Sequence, residues 1–410
     1  MLCHSKIAKN MKRMVIFEGV SLMVDDALDV VGYFDYGSGT GAAPTHLIDG
    51  ILDKDRLGHV LCRGVVETPE HASKISTAFP GGRRVPQLMG SVLNVIPYSK
   101  PRLYLERIFD WIVSRRLVND YFSGDFHYHH TPGHLRSIRK ANDLGKTTVL
   151  AGAVELTQRS IKRYEEECKR HGLSCHVPTE LRRAATRRFQ TLVESDQILA
   201  MSSFAAESYV DGGIDRDSID IVPLGVDTER FDYKPLLNDD KFRVTFVGSV
   251  NVLKGIPYLL DAWKLSGLGE DDKAELRLCG HVADEIEPLL EDGPTNVSTP
   301  GFVDPVPEYR QASVFAFPSL SEGFAKAPLE AMSTGRPIIV TENAGTPDIM
   351  NDGEEGIVVS PRNAEELANA LNSLRENSTE RKRMGQAARN TAERYTWERY
   401  TNEVTDKIIE

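Results

Sequence analysis

Val314-Phe315-Ala316-Phe317-Pro318, followed after two residues by Ser321-Glu322-Gly323-Phe324-Ala325-Lys326-Ala327-Pro328-Leu329-Glu330, decides the fold of this chain. The apolar run has the length and composition of a strand buried on both faces of a parallel sheet. The segment from Ala327 to Thr334 is expected to be a helix that stops at Gly335 and Pro337, because glycine closes helix ends and proline cannot continue one. Strand, loop, then helix places Glu322 at the carboxyl edge of a sheet, where open α/β folds bind ligands. The helix start at Phe324 to Lys326 turns free backbone N–H groups toward an anion such as a diphosphate. Glu330, about one to two turns further along, is within reach of a ribose diol. Two carboxylates around an anion-binding helix start form the layout that a nucleotide-sugar site needs. The plain alternative is a capping carboxylate beside a solvated helix residue, the common state of isolated Glu pairs.

The same alternation runs through the rest of the sequence. Strands are expected at Asp29 to Phe34, Gly58 to Cys62, Thr147 to Leu150 and Gln197 to Met201, with a helix from Pro44 to about Leu52. The pattern restarts with Phe242 to Val247, Glu275 to Leu278, Val297 and Ile338 to Thr341. Helix–strand alternation at this spacing predicts parallel sheets with helices on both faces. At 410 residues the chain is too long for one ordinary core, so two domains are expected. Ile221-Val222-Pro223-Leu224-Gly225-Val226-Asp227 marks the crossing between them. The expected organisation is an amino-terminal extension or extra strand over 1–28, a Rossmann-like domain over 29–225, a second over 226–388, and a closing helix over 389–410.

Charge divides unevenly. Residues 1–225 hold 29 Lys+Arg against 27 Asp+Glu, and residues 226–410 hold 20 against 33, within an overall net charge of −11. That acidity argues against general nucleic-acid binding. The five cysteines (Cys3, Cys62, Cys168, Cys175, Cys279) are odd in number and show no C-x-x-C spacing, which predicts free thiols in a reducing compartment. No apolar run approaches the about 18–20 residues of a membrane span, so a cytoplasmic protein is expected, at most attached peripherally to a membrane. Arg102 to Leu117 is expected to be a helix with four arginines and a broad apolar face. It fits packing against its own sheet and also contact with an anionic bilayer. Arg182-Arg183 and Arg187-Arg188 recur on a second basic helix.

Glu322-Gly323-Phe324, Pro328-Leu329-Glu330-Ala331-Met332 and Gly335-Arg336-Pro337-Ile338-Ile339 resemble the donor-site signature of the retaining GT-B glycosyltransferases of family four (glycosyl transferases group 1). The resemblance covers most of residues 29–405 and is specific from about Asp196 onward. It implies two Rossmann-like domains facing each other across a cleft, with Tyr395 to Tyr400 opening a helix that braces the first. It implies that Glu322 meets the transferred sugar and Glu330 the nucleotide ribose, with Gly323, Phe324, Ala325 and Lys326 around the diphosphate. It also implies a UDP- or GDP-linked donor, a saccharide or lipid-linked acceptor, and neither a metal nor a further cofactor.

Phe246-Val247-Gly248-Ser249-Val250-Asn251-Val252-Leu253-Lys254-Gly255 carries the second part of the site. Gly248, without a side chain, lets a ligand approach the backbone, and Lys254 can place an ammonium on a leaving diphosphate. The family usually has Arg directly after that glycine, where this chain has Ser249. One of two expected phosphate cations is then supplied elsewhere, with Lys326 available. Pro300-Gly301-Phe302-Val303 resembles the loop whose backbone meets the nucleotide base, although Phe302 equally fits a core aromatic. Glu342 to Asp348 resembles the next loop of the family, close to the donor and without an assigned role.

In the first domain, Gly37-x-Gly39-x-Gly41 could mark a dinucleotide site. The following strand ends Cys62-Arg63-Gly64 without the acid that NAD requires. NADP remains open at Arg63. Under the GT-B resemblance, Gly39 and Gly41 face the cleft and hold diphosphate or acceptor. Many members place a histidine after the fifth strand, where this chain reads Leu150 to Gln158 without one, leaving Glu155 or Gln158 as substitutes. Phe126-His127-Tyr128-His129-His130-Thr131-Pro132-Gly133-His134 is assigned to acceptor or sugar contacts by His127 or His129 rather than to a metal. Asp53-Lys54-Asp55 and Asp215-Arg216-Asp217 sit in polar turns and do not match a metal-binding Asp-x-Asp after a strand. Two rival functions share the scaffold, a nucleotide-sugar epimerase and a non-catalytic nucleotide-sugar-binding subunit.

Overall fold

The computed structural model describes residues 27–36, 42–66, 72–79, 84, 86–88, 101–119, 121–152, 154–237 and 241–409. Nearly all of the expected extension over 1–28 lies outside these residues, as do Gly39, Gly41 and Cys3. Runs of apolar residues buried on both faces become parallel strands, and they assemble into two sheets. The first half contributes β1 (Leu28–Val31), β2 (Asp35–Tyr36), β3 (Leu57–Cys62), β4 (Gly64–Val65), β5 (Ile75–Thr77), β6 (Phe126–His129), β7 (Thr147–Gly152), β8 (Gln197–Ala200) and β9 (Ile219–Ile221). β2 and β4 pair with each other, and the other seven lie in the order β5-β3-β1-β6-β7-β8-β9. The second half contributes β10 (Phe242–Val247), β11 (Ala274–Cys279), β12 (Val297–Gly301), β13 (Val314–Phe317), β14 (Ile338–Thr341) and β15 (Gly356–Val359), in the order β12-β11-β10-β13-β14-β15. All pairings in both sheets are parallel. Strand order reverses between β1 and β6 and again between β10 and β13. Those reversals open the crevices in which such sheets hold ligands.

Among the described residues the helices are α1 (Ala42–Leu52), α2 (Pro101–Val118), α3 (Leu135–Asp143), α4 (Thr157–Arg170), α5 (Thr179–Glu194), α6 (Ser203–Asp211), α7 (Ile256–Leu265), α8 (Glu287–Glu291), α9 (Pro305–Gln311), α10 (Lys326–Ser333), α11 (Ala364–Glu376), α12 (Ser378–Ala392) and α13 (Trp397–Ile409). Helical spacing explains their packing. Leu105, Phe109, Val113 and Leu117 recur every fourth residue of α2 and join a core with Val31 and Leu61 of the first sheet. Tyr400, Val404 and Ile408 do the same for α13, all nearly fully buried. That helix returns to the first unit and lies on α1. The Trp397 and His46 rings stack 4.7 Å apart, and Thr401 Oγ1 donates to His46 O at 3.1 Å. The two crossings between the units run side by side, with Val226 N donating to Tyr395 O at 2.9 Å.

The cysteines depart from expectation. Cys168 and Cys175 form a disulfide, with Cα atoms 6.0 Å apart. α4 ends at Arg170, Gly172 turns the chain at φ 66°, and Leu173 N reaches back to Cys168 O at 2.8 Å. A helix end that doubles back brings Cys175 into bridging range, a geometry that C-x-x-C spacing does not describe. Cys62 and Cys279 are free and buried, and burial pushes each thiol up to about 12.

α4 also joins the two units. Ser160 Oγ lies 3.3 Å from Ser321 Oγ. The fully buried Glu167 accepts a 2.5 Å hydrogen bond from Tyr258 OH and ion-pairs with Arg362 at 2.6 Å. A buried carboxylate is tolerated only with partners of this kind, so these three side chains depend on the units staying in contact.

Candidate active site

The carboxyl ends of β10 and β13 flank the reversal in the second sheet, and the residues after each strand converge there. After β10, Asn251 Oδ1 accepts from Lys254 N at 3.0 Å and closes a short helical turn. Gly255 follows at φ 71°, and a Cβ there would lie 1.9 Å from Pro318 O. Only glycine permits both the left-handed conformation and that approach. The turn therefore sits directly on the loop that follows β13.

That loop is fixed along its length. Leu320 N donates to Leu253 O at 2.8 Å, Asn343 Nδ2 donates to Leu320 O at 2.9 Å, and Ala325 N donates to Ala344 O at 3.3 Å. Lys254 Nζ meets Glu322 Oε2 as a close ion pair and lies 5.2 Å from the centre of the Phe317 ring. Their side chains keep 20% and 16% exposure, so a ligand can still reach both. Burial pushes the Lys254 ammonium down to about 8, while the carboxylate in contact with it favours the charged form. α10 begins at Lys326 without a side-chain cap at Ala325. Its first amides are left to other partners.

Glu330 is held from behind. Tyr309 OH, on α9 and fully buried, donates to Glu330 Oε2 at 2.8 Å. Burial, then the Glu330 charge, raises the Tyr309 hydroxyl well above its usual range, so it remains a donor. α9 is anchored in turn by Arg336, whose buried guanidinium donates to the carbonyls of Arg310 and Ala312 at 3.2 and 3.1 Å. Arg336, α9, Tyr309 and Glu330 form one chain of support.

The first unit touches this site through the start of α6. Ser202 Oγ donates to Gly323 O, beside Glu322. Ser203 N and Oγ donate to the Asp348 carboxylate at 2.6 and 2.5 Å, which places a negative charge at the positive end of α6. Gly345, at φ 73°, packs against Gly323 O, where a Cβ would come within 2.5 Å. Sequence reasoning left Asp348 without a role and did not single out Ser202 or Tyr309. Their sequence separations from their partners, 145, 121 and 21 residues, leave no local signal.

The other expected residues are distributed between strand ends and the core. Gly248 follows β10 at φ 153°, at the carboxyl edge of the second sheet, and Ser249 after it is exposed. Phe302 is 91% exposed, which corrects the core-aromatic alternative, and Val303 is half-buried. His127 and His129 are fully buried within β6. Their rings stand 4.7 Å apart, and His127 packs on Phe122. The alternation that puts them on one face of a central strand turns them into the core. Glu155 is 1% exposed and bound to Arg163 Nη2 at 3.3 Å. No group of three or more His, Cys, Asp or Glu suited to a metal occurs among the described residues.

Comparison with known proteins gives the same outline. Residues 227–391 match the family model described as Glycosyl transferases group 1. Similar relatives include a D-inositol 3-phosphate glycosyltransferase of Paenarthrobacter aurescens, 31% identical over 205 residues, covering 46% of this chain and 50% of the relative. Another is an MMP alpha-(1->4)-mannosyltransferase of Mycolicibacterium hassiacum, 30% identical over 220 residues and covering 49% and 51%. The chain thus spans about half the length of the curated relatives it matches. Among solved structures, Anabaena HepE in complex with UDP superposes with a TM-score of 0.64 at 16% identity, over 93% of this chain and 99% of that one. Sucrose-phosphate synthase of Thermosynechococcus elongatus gives 0.66 at 17% identity, over 93% and 98%. The fold is GT-B.

Proposed function

We propose that the protein is a glycosyltransferase moving a sugar from a nucleotide-diphosphate sugar to a hydroxyl acceptor, with retention at the anomeric carbon. The observation that carries the proposal is the Lys254–Glu322 pair at the reversal of the second sheet, beside the uncapped start of α10. The match of residues 227–391 to glycosyl transferases group 1 supports it, as do similar folds solved with UDP and with UDP-glucose. In this reading the donor diphosphate takes Lys254 from Glu322. The exchange gives the leaving group a cation and frees the carboxylate for the sugar hydroxyls. Charge then develops on the diphosphate against Lys254 and the helix-start amides, a fixed electrostatic environment of the kind that stabilises transition states most. Glu330, oriented by Tyr309, holds the ribose. The leaving phosphate accepts the acceptor proton, so no enzymic nucleophile is required. The acceptor is a saccharide or a lipid-linked saccharide.

Thermal unfolding with UDP, GDP, ADP and their sugar conjugates tests the donor half. A ligand at 100 times its dissociation constant adds about 2.7 kcal/mol. Stabilisation by one nucleotide, lost in Glu330→Ala, is expected. Absence of any shift would sink the donor assignment. NMR of the donor incubated without acceptor separates transfer from epimerisation, since only an epimerase alters the sugar while it stays attached.

A further inference from the structure

α2 is apolar on two faces. The inner face packs on the first sheet, and side chains of the outer face are exposed. Tyr104, Ile108, Trp111 and Val118 are 40%, 38%, 47% and 55% exposed. With Arg107 and Arg115, both exposed, they fall at i, i+3, i+4, i+7, i+11 and i+14. At 100° per residue this is one narrow stripe about 21 Å long. It carries no acid. The two acids of the helix point inward, where Glu106 pairs with Arg102 at 2.8 Å and Asp110 accepts from Ser137 N at 2.9 Å. The Arg115 guanidinium lies 5.6 Å from the Trp111 ring centre.

The surroundings extend the charge. α2, α3 and α5 pack side by side on this face and together hold eleven Lys+Arg against five Asp+Glu, in a protein of net charge −11. A basic layer on one side of an acidic molecule orients it in an electric field. Exposed tryptophan and tyrosine among arginines suit the headgroup boundary of a bilayer, where an amphipathic ring and a long cationic side chain are both satisfied. A second copy of the chain fits poorly, because a two-fold contact would set the arginines of each stripe against those of the other.

We propose that the outer face of α2, with the basic layer around it, docks on an anionic phospholipid surface. The inference goes beyond sugar transfer and does not depend on it. Docking lays the first unit against the lipid, which confines the protein to one orientation at the surface.

The full chain is floated with vesicles of phosphatidylcholine alone and of phosphatidylcholine with phosphatidylglycerol. Binding only to the anionic vesicles is expected, weakening as salt is added. Tryptophan emission should move to the blue on binding, because Trp111 is half-exposed while Trp263 is buried already and Trp397 is stacked on His46. Arg107→Gln and Arg115→Gln should each weaken binding about fivefold, and together about thirtyfold. Trp111→Ser should remove the emission shift. Thermal unfolding of the variants should match the wild type, since all three side chains are exposed. Equal binding by the double arginine variant would overturn the proposal, as would no flotation with anionic vesicles. Retention on heparin without flotation would point instead to a soluble polyanion, and a dimer lost in Trp111→Ser to a second copy. Either result would replace the bilayer while leaving the transferase proposal untouched.

Discussion

Tyr309→Phe isolates the support behind Glu330. The substitution removes one hydroxyl from a fully buried ring and leaves the ring in place, so it opens almost no cavity. The bond it deletes is 2.8 Å long and runs to a half-buried carboxylate. A hydrogen bond to a charged group contributes about 1.5–3 kcal/mol. Water can replace the tyrosine at Glu330, so a loss of about 1 kcal/mol of stability is expected. An effect of similar size is expected on the donor. A free glutamate must be immobilised on binding, at about 0.5–1.5 kcal/mol, which weakens the nucleotide by about twofold to thirteenfold. The ribose does not change during the reaction, so the loss should appear in KM with kcat unchanged. Calorimetric titration with the nucleotide, together with steady-state kinetics, measures both. An unchanged dissociation constant, or a fall in kcat at constant KM, would refute the placement of Glu330 on the ribose.

The remaining expectations concern charge and covalent closure. Burial pushes the Lys254 ammonium down to about 8 and the Glu322 carboxylate opposes that shift, so kcat/KM should decline as pH rises above that value. Bound diphosphate favours the ammonium, so kcat should decline only at higher pH; coincident profiles would remove Lys254 from the diphosphate. Burial holds His127 near 3 and His130 near 4, below the ordinary 6.5. The unfolded chain thus binds more protons between those limits, and stability should fall as pH drops below 6.5, by up to about 1.4 kcal/mol per pH unit for each histidine. Denaturant titrations of wild type and His127→Leu across that window should show a shallower slope in the variant. Closing a short loop by the Cys168–Cys175 bridge stabilises by about 2–3 kcal/mol in the chain-entropy account. Reduction, or Cys168→Ser with Cys175→Ser, should lower the unfolding midpoint accordingly, and an unchanged midpoint would refute that estimate.

The sheets were legible because parallel strands buried on both faces are written as continuous apolar runs. Val314–Phe317, Phe242–Val247 and Ile338–Thr341 each formed the strand that such a run implies. Lys254 and Glu322 were singled out from separate motifs, each just past a strand end, and parallel neighbours β10 and β13 bring those ends together. Contacts made across the fold carried no such mark. Glu167 meets Tyr258 over 91 residues and Ser202 meets Gly323 over 121. A serine or glutamate on a helix reads the same whether or not a partner waits opposite. The histidines show the reverse difficulty. Phe126-His127-Tyr128-His129 alternates as a strand does, but their residue type does not say that both faces will be covered.

The paired crossings between the units have a mechanical consequence. Val226 and Thr396 lie in register, and Gly225 is packed so closely that a Cβ would fall 2.6 Å from the Thr396 backbone. Two connections joined at this bridge resist shear and splaying, which would stretch its hydrogen bond, and yield most readily to twist about their common direction. Opening therefore follows one pivot. Cutting the chain before α13 would remove one of the two leaves of that pivot and leave a single covalent crossing between the units.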